Sequence, residues 1–182
     1  MTGPPLASLD TFDTERLNAE RLTPAHWNDL RAMDRDALYM THLGGVRDEA
    51  GTAAYLERNL THWEAYGFGV WMLRDRESGE MAGRAVLRHL LVDDGDEIEV
   101  GYGFYPRWWG RGLATEIARA CVRLGFDRLG RESLVAVTLP RHTDSRHVME
   151  KVGFHYERDV RLAGTMHALF RIGSPSDTGA AG

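Results

Sequence analysis

The sequence predicts an α/β domain, and three observations carry that prediction. Strand-like and helix-like stretches alternate along the chain, Thr23-Pro24 forms a strong helix start, and residues 97–104 alternate cleanly between apolar and non-apolar positions. With 182 residues, 43% of them hydrophobic and 27% charged, the chain has ordinary globular composition and enough length for one domain with its own core.

The elements follow in order. Residues 1–12 and 173–182 are small, polar and rich in Pro and Gly, so both ends are expected to be mobile around a single domain at 13–172. Residues 16–22 read as a first strand. Thr23 then caps a helix whose first turn takes Pro24 and whose inner face carries Trp27, Leu30 and Met33. A second helix over 49–65 places Tyr55, Leu56, Leu60 and Trp63 at helical spacing. Residues 68–75 and 81–92 are strand-like and are separated by the turn signal Glu77-Ser78-Gly79-Glu80, which predicts a hairpin. Asp93-Asp94-Gly95-Asp96 is the next turn. No internal repeat or linker interrupts this order.

Composition also excludes function classes. A net charge of -5 argues against a protein whose main task is to hold nucleic acid. The longest apolar run falls short of the roughly 20 residues of a membrane helix, and the N-terminus MTGPPLASLD lacks a signal-peptide pattern, so a cytoplasmic location without membrane contact is expected. The single cysteine, Cys121, repeats with Ile117 and Leu124 on an apolar helix face and reads as core. The eight histidines show no His-Glu-x-x-His spacing, so no metal is expected.

Two stretches hold the functional signal. In residues 97–104, Ile98, Val100, Tyr102 and Phe104 share one strand face, while Glu97, Glu99, Gly101 and Gly103 share the other. Glycine pairs in a strand mark a bulge or a place where a ligand or another backbone comes close. After Pro106 comes Arg107-Trp108-Trp109-Gly110-Arg111-Gly112, and then Leu113, Ile117, Cys121 and Leu124 at helical spacing. The glycines therefore stand at a helix N-terminus, whose free N–H groups and partial positive charge suit a phosphate. They could equally serve a tight strand-to-helix turn. No Gly-Lys-Ser/Thr follows and no acidic residue sits where a Rossmann ribose contact would, which excludes those two phosphate sites.

Arg107-Trp108-Trp109-Gly110-Arg111-Gly112 resembles the [Gln/Arg]-x-x-Gly-x-[Gly/Ala] signature of GNAT acyltransferases, and Ser145-Arg146-His147-Val148-Met149-Glu150-Lys151-Val152-Gly153-Phe154 resembles their later Ser-x-x-Val-x-Glu-Lys-x-Gly-Phe helix. Thr14-Glu15-Arg16-Leu17, Leu43-Gly44-Gly45, His62-Trp63 and Gly67-Phe68-Gly69 are similar to the branch that includes ribosomal-protein N-terminal acetyltransferases. The resemblance spans about residues 12–172. It implies a mixed, largely antiparallel twisted sheet flanked by helices on both faces, ending in a hairpin of 154–162 with 166–172. It also implies acetyl transfer from acetyl-CoA to a primary amine of a small molecule or protein N-terminus, as monomer or homodimer. The alternative is a coenzyme A-binding regulatory protein without turnover.

The same resemblance assigns residues. Backbone N–H groups of Trp109, Gly110, Arg111, Gly112, Leu113 and Ala114 would hold the coenzyme diphosphate, with Arg107 and Arg111 as guanidinium partners or simply facing water. Val100, Gly101 and Tyr102 would line the pantetheine arm, which is expected to fill a gap beside the strand at 134–139, with Gly101 and Gly103 clearing space for the thioester. Glu99 would be the base and Ser145 the proton donor, though Ser145 could instead cap its helix. His142 stands where the family commonly has asparagine. On residue spacing alone, Glu97 competes with Glu99 as base, because two carboxylates on one strand face raise each other's pKa. Asp93, Asp94 and Asp96 add to these carboxylates and would draw in a positively charged acceptor, although Asp93 and Asp94 read at least as well as a solvated hairpin tip remote from the thioester; the lower pKa of an α-amine makes it the expected acceptor group.

Overall fold

Eight strands hydrogen-bond into one sheet, and the hydrophobic pattern of its central strands sends helices to both sides. A computed structural model describes residues 9–93 and 95–175; the expected mobility of 1–8 and 176–182, and the place of Asp94 in its turn, lie outside these residues. The elements are β1 (Thr11–Asp13), β2 (Leu17–Arg21), α1 (Trp27–Arg35), α2 (Ala37–Met40), α3 (Glu49–Tyr66), β3 (Val70–Asp75), β4 (Met81–Val92) and β5 (Gly95–Phe104). They continue with α4 (Leu113–Arg123), β6 (Ser133–Thr138), α5 (Thr143–Val152), β7 (His155–Leu162) and β8 (Thr165–Gly173). The strand order is β1-β2-β3-β4-β5-β6-β8-β7. Every neighbouring pair is antiparallel except β5 and β6, which run parallel. Among the described residues no helix is long and apolar enough to cross a membrane.

Local chemistry accounts for the boundaries. Thr23-Pro24 opens a 3-10 turn, Pro24–His26, which runs into α1. The Asp48 carboxylate accepts from the Gly51 N–H and caps α3, and Gly67 ends that helix with φ 73°. Alternation does the rest. Val70 and Met72 of β3 pack with Leu30, Met33, Tyr39, Met40 and Tyr55 from α1–α3. Trp71 and Leu73 face the opposite side and join Ile98 and Val100 under Leu113, Ile117 and Cys121 of α4 and Met149 of α5. Cys121 is fully buried and its thiol is pushed up to about 12 by burial, as a core position requires.

Three expectations need correction. The ordered chain begins before residue 13: Thr11 and Phe12 pair with Glu20 and Ala19, and the Trp71 indole donates to the Leu9 carbonyl. β5 begins at Gly95 rather than at residue 97, pairing Gly95 and Asp96 with Val92 and Leu91, so the turn is shorter than Asp93–Asp96. At the other end β8 runs through Gly173, one residue into the expected tail.

One buried ion cluster fixes α1 against the sheet. Asp34, fully buried on α1, accepts at Oδ1 from Arg47 at 2.7 Å and from Arg84 of β4 at 3.1 Å. Arg84 is itself buried, with the rings of Tyr39 and Tyr55 at 5.4 and 4.7 Å. Removing the carboxylate strands a buried guanidinium, which is strongly unfavourable. Asp34→Ala is therefore expected to lower unfolding stability by about 3–5 kcal/mol, read as a reduced urea midpoint with an unchanged slope.

Candidate active site

A strand that loses its neighbour must offer its backbone groups to something else. β5 pairs with β4 along its whole length, yet it meets β6 at a single register pair, Glu99 with Val135. Past that pair the two strands part. A cavity of about 680 Å³ lies there, lined by Glu99 to Phe104 of β5, Val137 and Thr138 of β6, the Trp108–Thr115 region and the start of α5.

The glycine loop forms one wall. Gly110 and Gly112 take φ 71° and 78°, the left-handed region that favours glycine, and Gly112 is the N-cap of α4. A Cβ on Gly110 would meet nothing, so that glycine answers to conformation and not to crowding by the protein. Trp108 also lines the cavity, and its indole N–H is buried without an acceptor among the described residues. What pins this loop comes from a segment far away in the chain. Arg16, just before β2, donates to the Arg111 carbonyl at 2.7 Å and pairs with Glu116 of α4 at 2.7 Å. Burial opposes ionisation of Glu116, but hydrogen bonds from Thr14 and Arg16 outweigh it and hold the carboxyl below its ordinary range.

The two loop arginines, expected either to pair with phosphate or to face water, are both exposed. Neither lines the cavity. Arg107 turns to the β3–β4 hairpin, donating to the Met81 carbonyl at 3.2 Å and approaching Glu80. The Arg111 guanidinium lies over Trp108 at 4.9 Å. Trp109, Gly110, Gly112, Leu113 and Ala114 do line it, as do Val100, Gly101 and Tyr102.

On the other strand face the two carboxylates part company. Glu99 is 7% exposed and accepts at Oε2 from Arg88, its cross-strand partner, at 2.8 Å. That carboxylate is the main reason the Arg88 guanidinium is raised above its ordinary value. Glu97 instead takes two hydrogen bonds from Arg171 of β8, at 2.7 and 3.0 Å, and does not line the cavity. Each carboxylate thus meets an arginine, and the expected mutual repulsion is answered by opposite charge. Of the described carboxylates just before them, Asp93 pairs with Arg158 at 2.9 Å and Asp96 meets His89 at 2.8 Å, and neither lines the cavity.

Gly103 also serves a different purpose from clearing room for a thioester. A Cβ there would come within 2.9 Å of the Tyr39 hydroxyl and of Leu43 Cδ1. The bare backbone admits Tyr39, which donates to the Gly103 carbonyl at 3.2 Å. Ser145 is the third residue of α5, in its first turn, and its hydroxyl lies 3.3 Å from that of Tyr102. Burial pushes the Tyr102 phenol up to about 12, so it stays protonated. His142 is the residue before α5, stacked on His42 at 3.7 Å. Among the described residues no cluster of His, Cys, Asp or Glu could hold a metal.

A profile of the acetyltransferase (GNAT) domain matches residues 16–155. The chain belongs to the GNAT acetyltransferase family. GNAT enzymes use acetyl-CoA. The chain is 32% identical to the uncharacterized Bacillus subtilis protein YkkB over 122 residues, 67% of this chain and 71% of that one. An acetyltransferase structure from Agrobacterium tumefaciens superposes with a TM-score of 0.80 at 25% identity, covering 96% of this chain and all of that one. The ribosomal-protein-S5-alanine acetyltransferase of Vibrio fischeri shares the fold, with a TM-score of 0.67 at 15% identity over 91% of this chain and 97% of that one. The mixed, mostly antiparallel sheet is thus the GNAT sheet, and the parting of β5 and β6 lies at its centre.

The histidine stack carries a pH dependence. Burial first, and then His42, lower His142 below its ordinary value of 6.5, against a smaller opposing effect of Asp144. A histidine with a depressed folded pKa binds its proton more readily when unfolded, so it lowers stability as pH falls below 6.5 and contributes nothing above it. His62 shifts in the same direction, mainly through burial. Stability is expected to fall between pH 7.5 and 5.5, and His142→Asn should flatten part of that slope in urea titrations at several pH values.

Proposed function

We propose that this chain is a cytoplasmic N-acetyltransferase that moves the acetyl group of acetyl-CoA to a primary amine, with Glu99 as base. One observation carries the reading: the only carboxylate of β5 that lines the cavity stands at the last pairing between β5 and β6, where the cavity opens toward the glycine loop.

The residues fit the coenzyme. N–H groups from Gly110 to Ala114 would receive the diphosphate at the α4 N-terminus, whereas that of Trp109 donates to the Pro106 carbonyl at 3.1 Å, and glycine at 110 and 112 keeps side chains off that turn. The pantetheine arm would pair with the β5 edge that β6 leaves free. His142, which lines the cavity, would meet the arm near the start of α5.

Chemistry then follows from proton accounting. Glu99 takes a proton from the amine, directly or through one water; Arg88 engages Oε2, and Oε1 has no hydrogen bond among the described residues. The amine nitrogen bonds to the acetyl carbon, and N–H groups within residues 100–102 hold the oxyanion. The C–S bond breaks, and the thiolate takes a proton from the hydroxyl pair of Ser145 and Tyr102. An α-amine near pKa 7.8 reaches its neutral form more easily than a lysine near 10.4, by about 2.6 units or roughly 3.5 kcal/mol, which favours α-amines.

Two variants test this. Gly112→Val forces a β-branched residue to a φ of 78°, a strain of about 1–2 kcal/mol, and sets its side chain on the diphosphate turn. Coenzyme A affinity by calorimetry should fall while the circular dichroism spectrum stays native; unchanged affinity would remove the diphosphate from this loop. Glu99→Gln keeps shape without proton acceptance, so kcat/KM should drop about 100-fold near neutral pH with coenzyme affinity retained. Coenzyme binding with no thiol release from any amine would leave the regulatory reading standing instead.

A further inference from the structure

Beyond Glu99, the cavity continues over the outward face of β4 beneath α2 and α3. Four arginines line this half: Arg47, Arg58, Arg84 and Arg88. Three of their guanidinium groups converge on one ring, that of Tyr55, with Arg47 at 4.6 Å, Arg84 at 4.7 Å and Arg58 at 5.6 Å from its centroid. Two carboxylates answer four positive charges. Glu99 pairs with Arg88, and Asp34 is shared at a single oxygen by Arg47 and Arg84. Arg58, exposed on α3, has no carboxylate partner among the described residues. Four minus two leaves a surplus of two positive charges, held close together and partly shielded from water. Cation–π contact with tyrosine orients guanidinium groups but leaves their charge unneutralised.

The geometry points to a place for an anion, and we infer that the Tyr55 arginine cluster binds an anionic group of the acceptor, a carboxylate or phosphate on the same molecule as the amine. Guanidinium groups match both geometrically, through paired N–H donors. This rests on the acetyltransferase reading, because it takes Glu99 to mark where the amine reacts. Arg84 and Arg88 stand at i and i+4 on one face of β4, about 13 Å apart along the strand before their side chains bend, and Arg88 holds Glu99. An acceptor reaching from Glu99 toward Tyr55 therefore presents its amine to the base and its anion to the arginines. Such a substrate differs from the one that the acidic run at 93–99 suggested, because Asp93, Glu97 and Glu99 of that run are each paired with an arginine, Arg158, Arg171 and Arg88.

The test follows thiol release from acetyl-CoA by the full-length enzyme with matched acceptors: α-amino acids against their amides, and 2-aminoethyl phosphate against 2-aminoethanol. Rates are compared per neutral amine. The anionic member of at least one pair should have a kcat/KM about 10-fold higher or more, mainly through KM, and the gap should narrow from about 50 to 300 mM salt. Which pair shows it separates carboxylate from phosphate. Arg58→Gln should shrink that ratio by about 10-fold, and Arg58→Lys should restore part of it. Arg161→Gln on the β7–β8 hairpin, outside the cavity lining, controls for net charge and should keep the ratio. Equal or better turnover of the neutral members, or an unchanged ratio in Arg58→Gln, overturns the anion site while leaving the acetyltransferase intact. Bound acetyl-CoA with no turnover of any acceptor overturns both.

Discussion

The arrangement depends on one interruption of hydrogen bonding. β5 is satisfied on its β4 side for ten residue pairs but touches β6 only at Glu99 and Val135. Backbone N–H and C=O groups beyond that point lie in the middle of the sheet, where an unpaired group is costly and a closing neighbour is absent. β6 is paired on its other edge with β8 over six register pairs, while its edge toward β5 diverges after a single pair. The opening is therefore built into the topology, and the loop, the carboxylate and the hydroxyl pair are arranged around it.

The two faces of the sheet divide the work. Residues at even positions in β5 pack against α4 and α5 and carry Tyr102 to Ser145. Odd positions face α1–α3 and carry Glu99 to Arg88 and the Gly103 carbonyl to Tyr39. Because a strand alternates strictly, the Glu99 carboxylate and the hydroxyl pair approach the same gap from opposite sides. A one-residue slip of β5 would exchange them.

What the sequence disclosed depended on range. The alternation of residues 97–104, the helix start at Thr23-Pro24 and the β3–β4 turn are local signals, and each appears in the structure at or near its expected place. β1 escaped notice because three residues cannot show a period, and α2 because four cannot fill two turns. The partners of the charged residues were hidden for another reason. Glu97 meets Arg171, 74 positions away, and Arg16 meets Glu116, 100 positions away, so the pairing of these carboxylates leaves no trace along the chain. Arg107 and Arg111 were assigned by their neighbours in the chain, whereas the side chains follow the surfaces they lie on: Met81 and Glu80 for one, Trp108 for the other. The arginines around Tyr55 come from three separate segments, which no linear spacing reveals.

The hold of Arg16 on the glycine loop reaches further than its own contacts. A glycine-rich turn left to itself samples many shapes, and a ligand that needs one of them must select it at the expense of affinity. Here the Arg111 carbonyl and Glu116 are both tied to residues at the start of β2, on the far side of the chain order from α4. The shape of the glycine turn is therefore coupled to the docking of β2, and a change that loosens the opening segment of the chain reaches this turn without touching it.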